Sequence, residues 1–174
     1  MKQKITYEQV REAFDYDAAT GHLIRCMREG ANPQERMRIA KQVGEVAGTI
    51  SKIGYRYISF KNTRWLAHRL VWLHQTGAWP QEHIDHINGD RADNRIENLR
   101  VATRLENNRN VKRHADNASG FKGVSLHKRT QRYRSEITLA GRKRYLGLFD
   151  TPEEAHAAYC AAAETLHGEF ARAV

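Results

Sequence analysis

Cysteine is nearly missing from this chain of 174 residues: Cys26 and Cys160 stand far apart, with no CxxC spacing. That excludes a disulfide framework and a zinc knuckle built on cysteine pairs, and it suits a reducing compartment. Proline is rare, three in all, and no low-complexity tract or internal repeat occurs. No run approaches the ~18–20 apolar residues that a membrane span needs, and the opening MKQKITYEQV lacks an apolar signal segment. A cytoplasmic protein with no membrane partner is expected. Acid is the minority charge, 20 Asp and Glu against 29 Lys and Arg, for a net +9. With a pI near 9.8, a polyanion, nucleic acid first, is the natural partner. Mean hydropathy is low at −0.74, yet 40% of residues are hydrophobic and 9% aromatic, enough for a folded chain. The length leaves room for two modules, since domains commonly run ~100–150 residues and many are smaller.

The charges separate most sharply near the C-terminus. Residues 119–148 carry Lys122, Lys128, Arg129, Arg132, Arg134, Arg142, Lys143 and Arg144 against the single acid Glu136, whereas 149–174 carry five acids and one base. The acidic part reads as a helix: Thr151 caps it, Pro152 sits at its first position, Glu154 completes a capping box and Gly168 ends it. Ala155, Ala158, Tyr159, Ala162, Ala163 and Leu166 form its apolar stripe. The basic part reads as strands at 123–127, 132–139 and 143–149, joined by turns at Lys128–Gln131 and Ala140–Gly141. Alternation sends Val124, Leu126, Tyr133, Ile137, Leu139, Leu146 and Phe149 toward the helix, and Ser125, His127, Arg132, Arg134, Glu136 and Thr138 outward. Upstream, RHADNASG at 113–120 has linker composition. The opening predicts a short helix near Thr6–Phe14, a turn at Thr20–Gly21, a polar stretch through Ala31–Lys41 and strands at Glu45–Ile50 and Tyr55–Phe60. A helix over Leu66–Gln75, closed by Gly77, follows.

The segment IDHINGDRADNRIENLRVATRLENN, 84–108, places Asp85 and His86 on a short apolar strand before the turn-forming Asn88–Gly89–Asp90. Leu99–Val101 resembles a return strand, and Thr103 can cap a helix that holds Asn107 one turn in. In such a strand–loop–strand–helix unit, Asp85 and Asn107 offer hard oxygens suited to magnesium or manganese, with His86 beside them.

DHINGDRADNRIENLRVAT preceded by HRLVW resembles the HNH (His-Me finger) endonucleases, particularly the phage and intron-encoded homing group, over roughly residues 44–110. The resemblance implies that His86 is the general base, that Asn98 of the Asn–Leu pair orients it, and that Asp85 and Asn107 hold a divalent metal ion, Mg2+ or Mn2+. Asn107 stands where a strict triplet has histidine, as in the homing subgroup. His68 belongs to the pattern with its role open.

A second resemblance covers 120–171. GFKGVSLHKRTQRYRSEITLAGRKRYLGLFDTPEEAHAAYCAAAETLHGEFA looks like the plant ethylene-response-factor (APETALA-two type) DNA-binding domain, which lays a three-stranded sheet in the major groove. Lys122, Ser125, His127, Arg132, Arg134, Glu136, Thr138, Arg142, Lys143 and Tyr145 are the DNA-contacting positions this implies. Ser125 and His127 replace arginines of that family, so the docking mode carries over better than the target sequence.

His68, His74, His83 and His86 fit no usual structural zinc spacing. Trp65, Trp72 and Trp79 read as core. The expected fold class is α+β: a ββα-metal nuclease unit with a small α+β lead-in (1–112, metal core about 66–112), a linker at 113–120, and a three-stranded antiparallel sheet packed on one helix (121–174). The expected function is a metal-dependent endonuclease of double-stranded DNA, acting as monomer or homodimer and leaving 5′-phosphate and 3′-hydroxyl ends. The alternative is a sequence-specific DNA-binding regulator with a degenerate nuclease unit.

Overall fold

Thr6 opens the computed structural model's first helix, α1 (Tyr7–Ala13), through a capping box with Gln9. The structure describes residues 5–27, 32–109, 117–139 and 141–168. The strands β1 (Phe14–Asp17) and β2 (His22–Arg25) pair antiparallel, with Phe14 opposite Arg25 and Asp17 opposite His22. Only the turn of this hairpin was legible: four-residue strands carry too short an alternation to stand out. The expected polar stretch contains a helix, α2 (Pro33–Ala40). It buries no apolar stripe, so no periodicity announced it.

The sheet β3 (Thr49–Ile50), β4 (Arg56–Phe60) and β5 (Thr63–Leu66) runs in chain order and antiparallel. The strand expected over Glu45–Ile50 is regular only at its end, Val46 contributing one isolated bridge to Ile24. Helix α3 (Ala67–Thr76) turns its Leu70, Val71 and Leu73 into a core with Val10, Phe14, Leu23, Ile58, Phe60 and Ile84. Gly77, at φ 77°, ends it in the left-handed conformation and donates its N–H to the Leu73 carbonyl. Trp65, Trp72 and Trp79 pack against this core, and the indole N–H of Trp79 ties the chain start by donating to the Ile5 carbonyl at 2.9 Å. The strand β6 (His83–His86) pairs with β7 (Leu99–Ala102), a 3-10 turn at Ile96–Asn98 lying just before β7. Helix α4 (Arg104–Arg109) follows, boxed by Thr103 and Glu106.

The chain divides into two compact units, Met1–Val101 and Ala102–Val174. Of the expected linker, 113–116 lie outside the described residues. In the second unit β8 (Val124–His127), β9 (Arg132–Leu139) and β10 (Arg142–Phe149) form an antiparallel sheet with β9 central, packed on α5 (Pro152–His167). Thr151 and Glu154 make the expected capping box. Ile137, Tyr159 and Ala163 form the core, with Leu146, Ala162 and Leu166 against them. Gly123, at φ 77°, admits the Tyr159 ring where a Cβ would stand.

Two details of this sheet depart from simple alternation. Leu126, expected inward, is 46% exposed: it lies on the inner side, opposite Tyr133, but on an edge strand near its open end. A bulge between Tyr145 and Gly147 shifts the register of β10, so Tyr145 pairs with Glu136 on the outer face while Phe149 pairs with Tyr133 on the inner one. Both carry odd numbers, and strict alternation would have put them on one side. Among the described residues no helix is long and apolar enough to cross a membrane.

Candidate functional site

Between β6 and β7, residues 87–98 make a loop held by its own polar side chains. Asn88 accepts from the Asp90 N–H and donates to Asp93 at 2.8 Å, and Asp90 caps the Ala92 N–H. The Arg95 guanidinium clasps both oxygens of Asp93, and these bonds hold the Asp93 carboxyl down at about 2. The lead-in buttresses the same loop from outside. The Tyr16 hydroxyl of β1 accepts the Ile96 N–H at 2.8 Å, and Gly21, in the β1–β2 turn, lies where a Cβ would run into the backbone of Asn94 and Arg95.

His86 ends β6 with 4% of its surface exposed, and its Nε2 stands 3.0 Å from the Asn94 Oδ1. With that oxygen as acceptor, the imidazole donates through Nε2–H and its lone pair sits on Nδ1. Burial pushes the His86 pKa below its ordinary value, with the Asn94 bond pulling the other way, so the ring is neutral near pH 7. Asn98, expected to orient this ring, makes its side-chain hydrogen bonds with Asn88 and Asp93 instead. Its amide accepts the Asn88 N–H at 2.9 Å and donates to the Asn88 side chain and the Asp93 carbonyl, which pins the loop. The orienting residue is Asn94, 1% exposed, with an amide nitrogen that has no hydrogen-bond partner among the described residues. Sequence reading missed it because DNRIEN offers two asparagines, and only the path of the loop decides which reaches the histidine.

Rings close the other side of His86. His68 of α3 meets it edge-on, centroids 5.0 Å apart, and Tyr55 lies 5.4 Å from His68 and 6.1 Å from His86. Arg91 stacks on Tyr55 at 4.9 Å. Burial, reinforced by His86 and Arg69, drives the His68 pKa down to about 3, so this ring is a neutral packing partner. His74 is a core histidine: its Nδ1 receives the Gln75 amide, and its Nε2 donates to the Phe14 carbonyl at 3.0 Å.

Asp85, the expected metal-ligating carboxylate, is 5% exposed, and its Oδ2 accepts both Nε and Nη2 of Arg100, at 3.0 and 2.9 Å. Asn107 sits in α4, in the second unit, its N–H on the Thr103 carbonyl. Among the described residues no group of three or more His, Cys, Asp or Glu gathers. A buried carboxylate still fits a hard divalent cation of the magnesium kind, which keeps several waters and takes one or two protein oxygens plus substrate phosphate.

On the second unit's sheet, the register sets Ser125 against Arg134, His127 against Arg132, Thr138 against Lys143 and Glu136 against Tyr145, all on the outer face as expected. Tyr145 is 59% exposed there. Two of the arginines hold acids: Arg134 is 3.3 Å from Glu136, and Arg132 is 2.8 Å from Asp150. His127 is tied to Thr130. Arg142, at the start of β10, is exposed and pairs with Leu139. Lys122 precedes β8, its carbonyl 3.4 Å from His156 Nδ1 of α5.

A family profile described as HNH endonuclease matches residues 66–109, and one described as AP2 domain matches 119–169. The chain is 36% identical over 106 residues to Protein 3.8 of Escherichia phage T7, a span covering 60% of this chain and 87% of that protein. No solved structure matches.

Proposed function

We propose, for a chain that belongs to the HNH endonuclease family and carries an AP2 domain after its nuclease unit, that it is a metal-dependent endonuclease of double-stranded DNA. The observation that carries this reading is His86, kept neutral by burial and fixed in one tautomer by Asn94. A neutral imidazole with its lone pair on Nδ1 takes a proton from water as that water's oxygen attacks phosphorus. The bond from phosphorus to the 3′ oxygen breaks, that oxygen takes a proton from solvent, and the products are 5′-phosphate and 3′-hydroxyl ends. Such a base contributes ~10²–10⁴-fold to the rate. Asp85 and Asn107 are the residues that would hold the divalent ion, Mg2+ or Mn2+, which supplies charge neutralisation at the phosphate and the leaving oxygen. The outer sheet face, with Arg132, Arg134, Lys143 and Tyr145, holds the duplex, and Ser125, His127 and Thr138 offer adaptable polar contacts to it. One reactive histidine per chain makes a nick, and a homodimer is what a double-strand cut of the homing type requires.

One observation favours a second reading, a DNA-binding regulator with a degenerate nuclease unit: a guanidinium occupies Asp85. Supercoiled plasmid incubated with the purified chain and Mg2+ or Mn2+ separates the two. Nicking that disappears in His86→Ala, with gel-shift affinity kept, supports the nuclease. A gel shift with no nicking at any metal concentration supports the regulator.

A further inference from the structure

Asp85 and Arg100 face each other from paired strands, β6 and β7, and the two hydrogen bonds converge on one carboxylate oxygen. Both side chains are out of the solvent, Asp85 at 5% and Arg100 at 13% exposure. A buried carboxylate needs a positive partner, and removing one member of such a pair is far costlier than removing both. A divalent cation on the same carboxylate would stand close to the guanidinium, and two positive charges at that range in a poorly hydrated site repel strongly. One group has to yield.

We infer that Arg100 is the resident counter-ion of Asp85 in the metal-free chain and that guanidinium and divalent cation are alternative occupants of that carboxylate. The inference rests on the nuclease reading above and goes beyond it by assigning a residue that sets metal affinity. Arg100 lies in β7, and its guanidinium stands at the end of a four-bond stem, so leaving Asp85 takes a change of side-chain rotamer with the strand kept. Once released, its planar fork suits a phosphate oxygen pair of bound DNA better than an ammonium would. DNA and metal then bind cooperatively: each makes the departure of Arg100 from Asp85 less costly for the other.

The test is direct binding of Mn2+ alone, followed by calorimetry and by the loss of the free-ion paramagnetic signal, on the full chain. Arg100→Met is expected to bind Mn2+ about tenfold or more tightly than the wild type, and to gain more thermal stability from it. Arg100→Lys, still charged, stays near the wild-type affinity. Asp85→Asn abolishes the gain when combined with Arg100→Met. Arg100→Gln serves if the methionine variant does not fold, with the same direction expected. Equal or weaker Mn2+ binding in a folded Arg100→Met or Arg100→Gln chain overturns the inference, and if the wild type then still nicks plasmid with Mn2+, the nuclease reading survives it. No Mn2+ binding by any variant together with no nicking removes both.

Discussion

For a histidine as buried as His86 to serve as the proposed base, a neighbour has to fix its tautomer, and the Asn94 Oδ1 stands 3.0 Å from Nε2. Asn94→Ala should cut nicking sharply and lower stability by about 1–3 kcal/mol, the usual cost of a buried donor left without its acceptor. The denaturant midpoint and the nicking rate, measured together, check it; a wild-type rate would dismiss the pairing as incidental. Asn94→Asp is more discriminating. A carboxylate on Nε2 favours the imidazolium, so the acid limb of the nicking profile should move to higher pH, whereas in the wild type it lies below the ordinary histidine value of about 6.5. An acid limb at the same pH in both chains would mean that His86 is not the titrating base. The sequence pointed to Asp85 and His86 by their adjacency and their place before Asn88–Gly89–Asp90. It could not rank Asn94 against Asn98, because both are asparagines of one loop and the difference lies in which way the loop folds.

Secondary elements explain why the lead-in belongs to the site. The β1–β2 hairpin touches the 87–98 loop at two points, Tyr16 on Ile96 and Gly21 beneath Asn94 and Arg95. Gly21→Ala should therefore disturb Asn94, since the position combines φ 72° with direct backbone contact, and nicking should fall along with stability. Gly141→Ala is the control: its φ is 78°, but nothing stands within 4 Å of the added carbon, so about 1 kcal/mol of backbone strain is the main cost. Similar nicking losses in the two variants would deny the hairpin a positioning role. Gly123→Ala should instead loosen the second unit, where the Tyr159 ring occupies the space, and weaken DNA binding in a gel shift without altering the pH profile set by His86.

Taken whole, the chain joins an HNH endonuclease unit to a basic sheet, and two bulk properties follow. Each Lys or Arg contact with a duplex phosphate adds about 0.9 to the slope of log affinity against log salt. A chain ending at Asn117 should show a flatter salt dependence and less site preference while weak nicking persists; an unchanged slope would mean that the sheet does not bind DNA. Because Arg132 and Arg134 already hold Asp150 and Glu136, the loss should be smaller than the count of bases suggests. Stability should also fall in acid. His68, His74 and His86 have folded pKa values below the unfolded value of about 6.5, His68 at about 3. Their contribution is complete above pH 6.5 and is lost as pH falls through each folded value, down to about 3 for His68, by at most about 1.4 kcal/mol per pH unit for each group. Denaturant melts at pH 7.5, 6 and 5 test this, and identical midpoints would contradict the buried neutral state.

The sequence by itself determined what local rules can reach. The capping box of Thr151 and Glu154, the alanine stripe of α5, the strands of the basic sheet and the Asp85–His86 strand before its turn all arise from spacing, propensity and turn chemistry within a few residues. Only the tertiary structure decided which partners meet across distance. It set Asn94 rather than Asn98 on His86, Arg100 on Asp85, Tyr16 and Gly21 under the loop, and a bulge that separates Tyr145 from Phe149. Those pairings depend on how strands register and how loops close. Several side chains of the same type compete for each place there, and only three-dimensional packing selects among them.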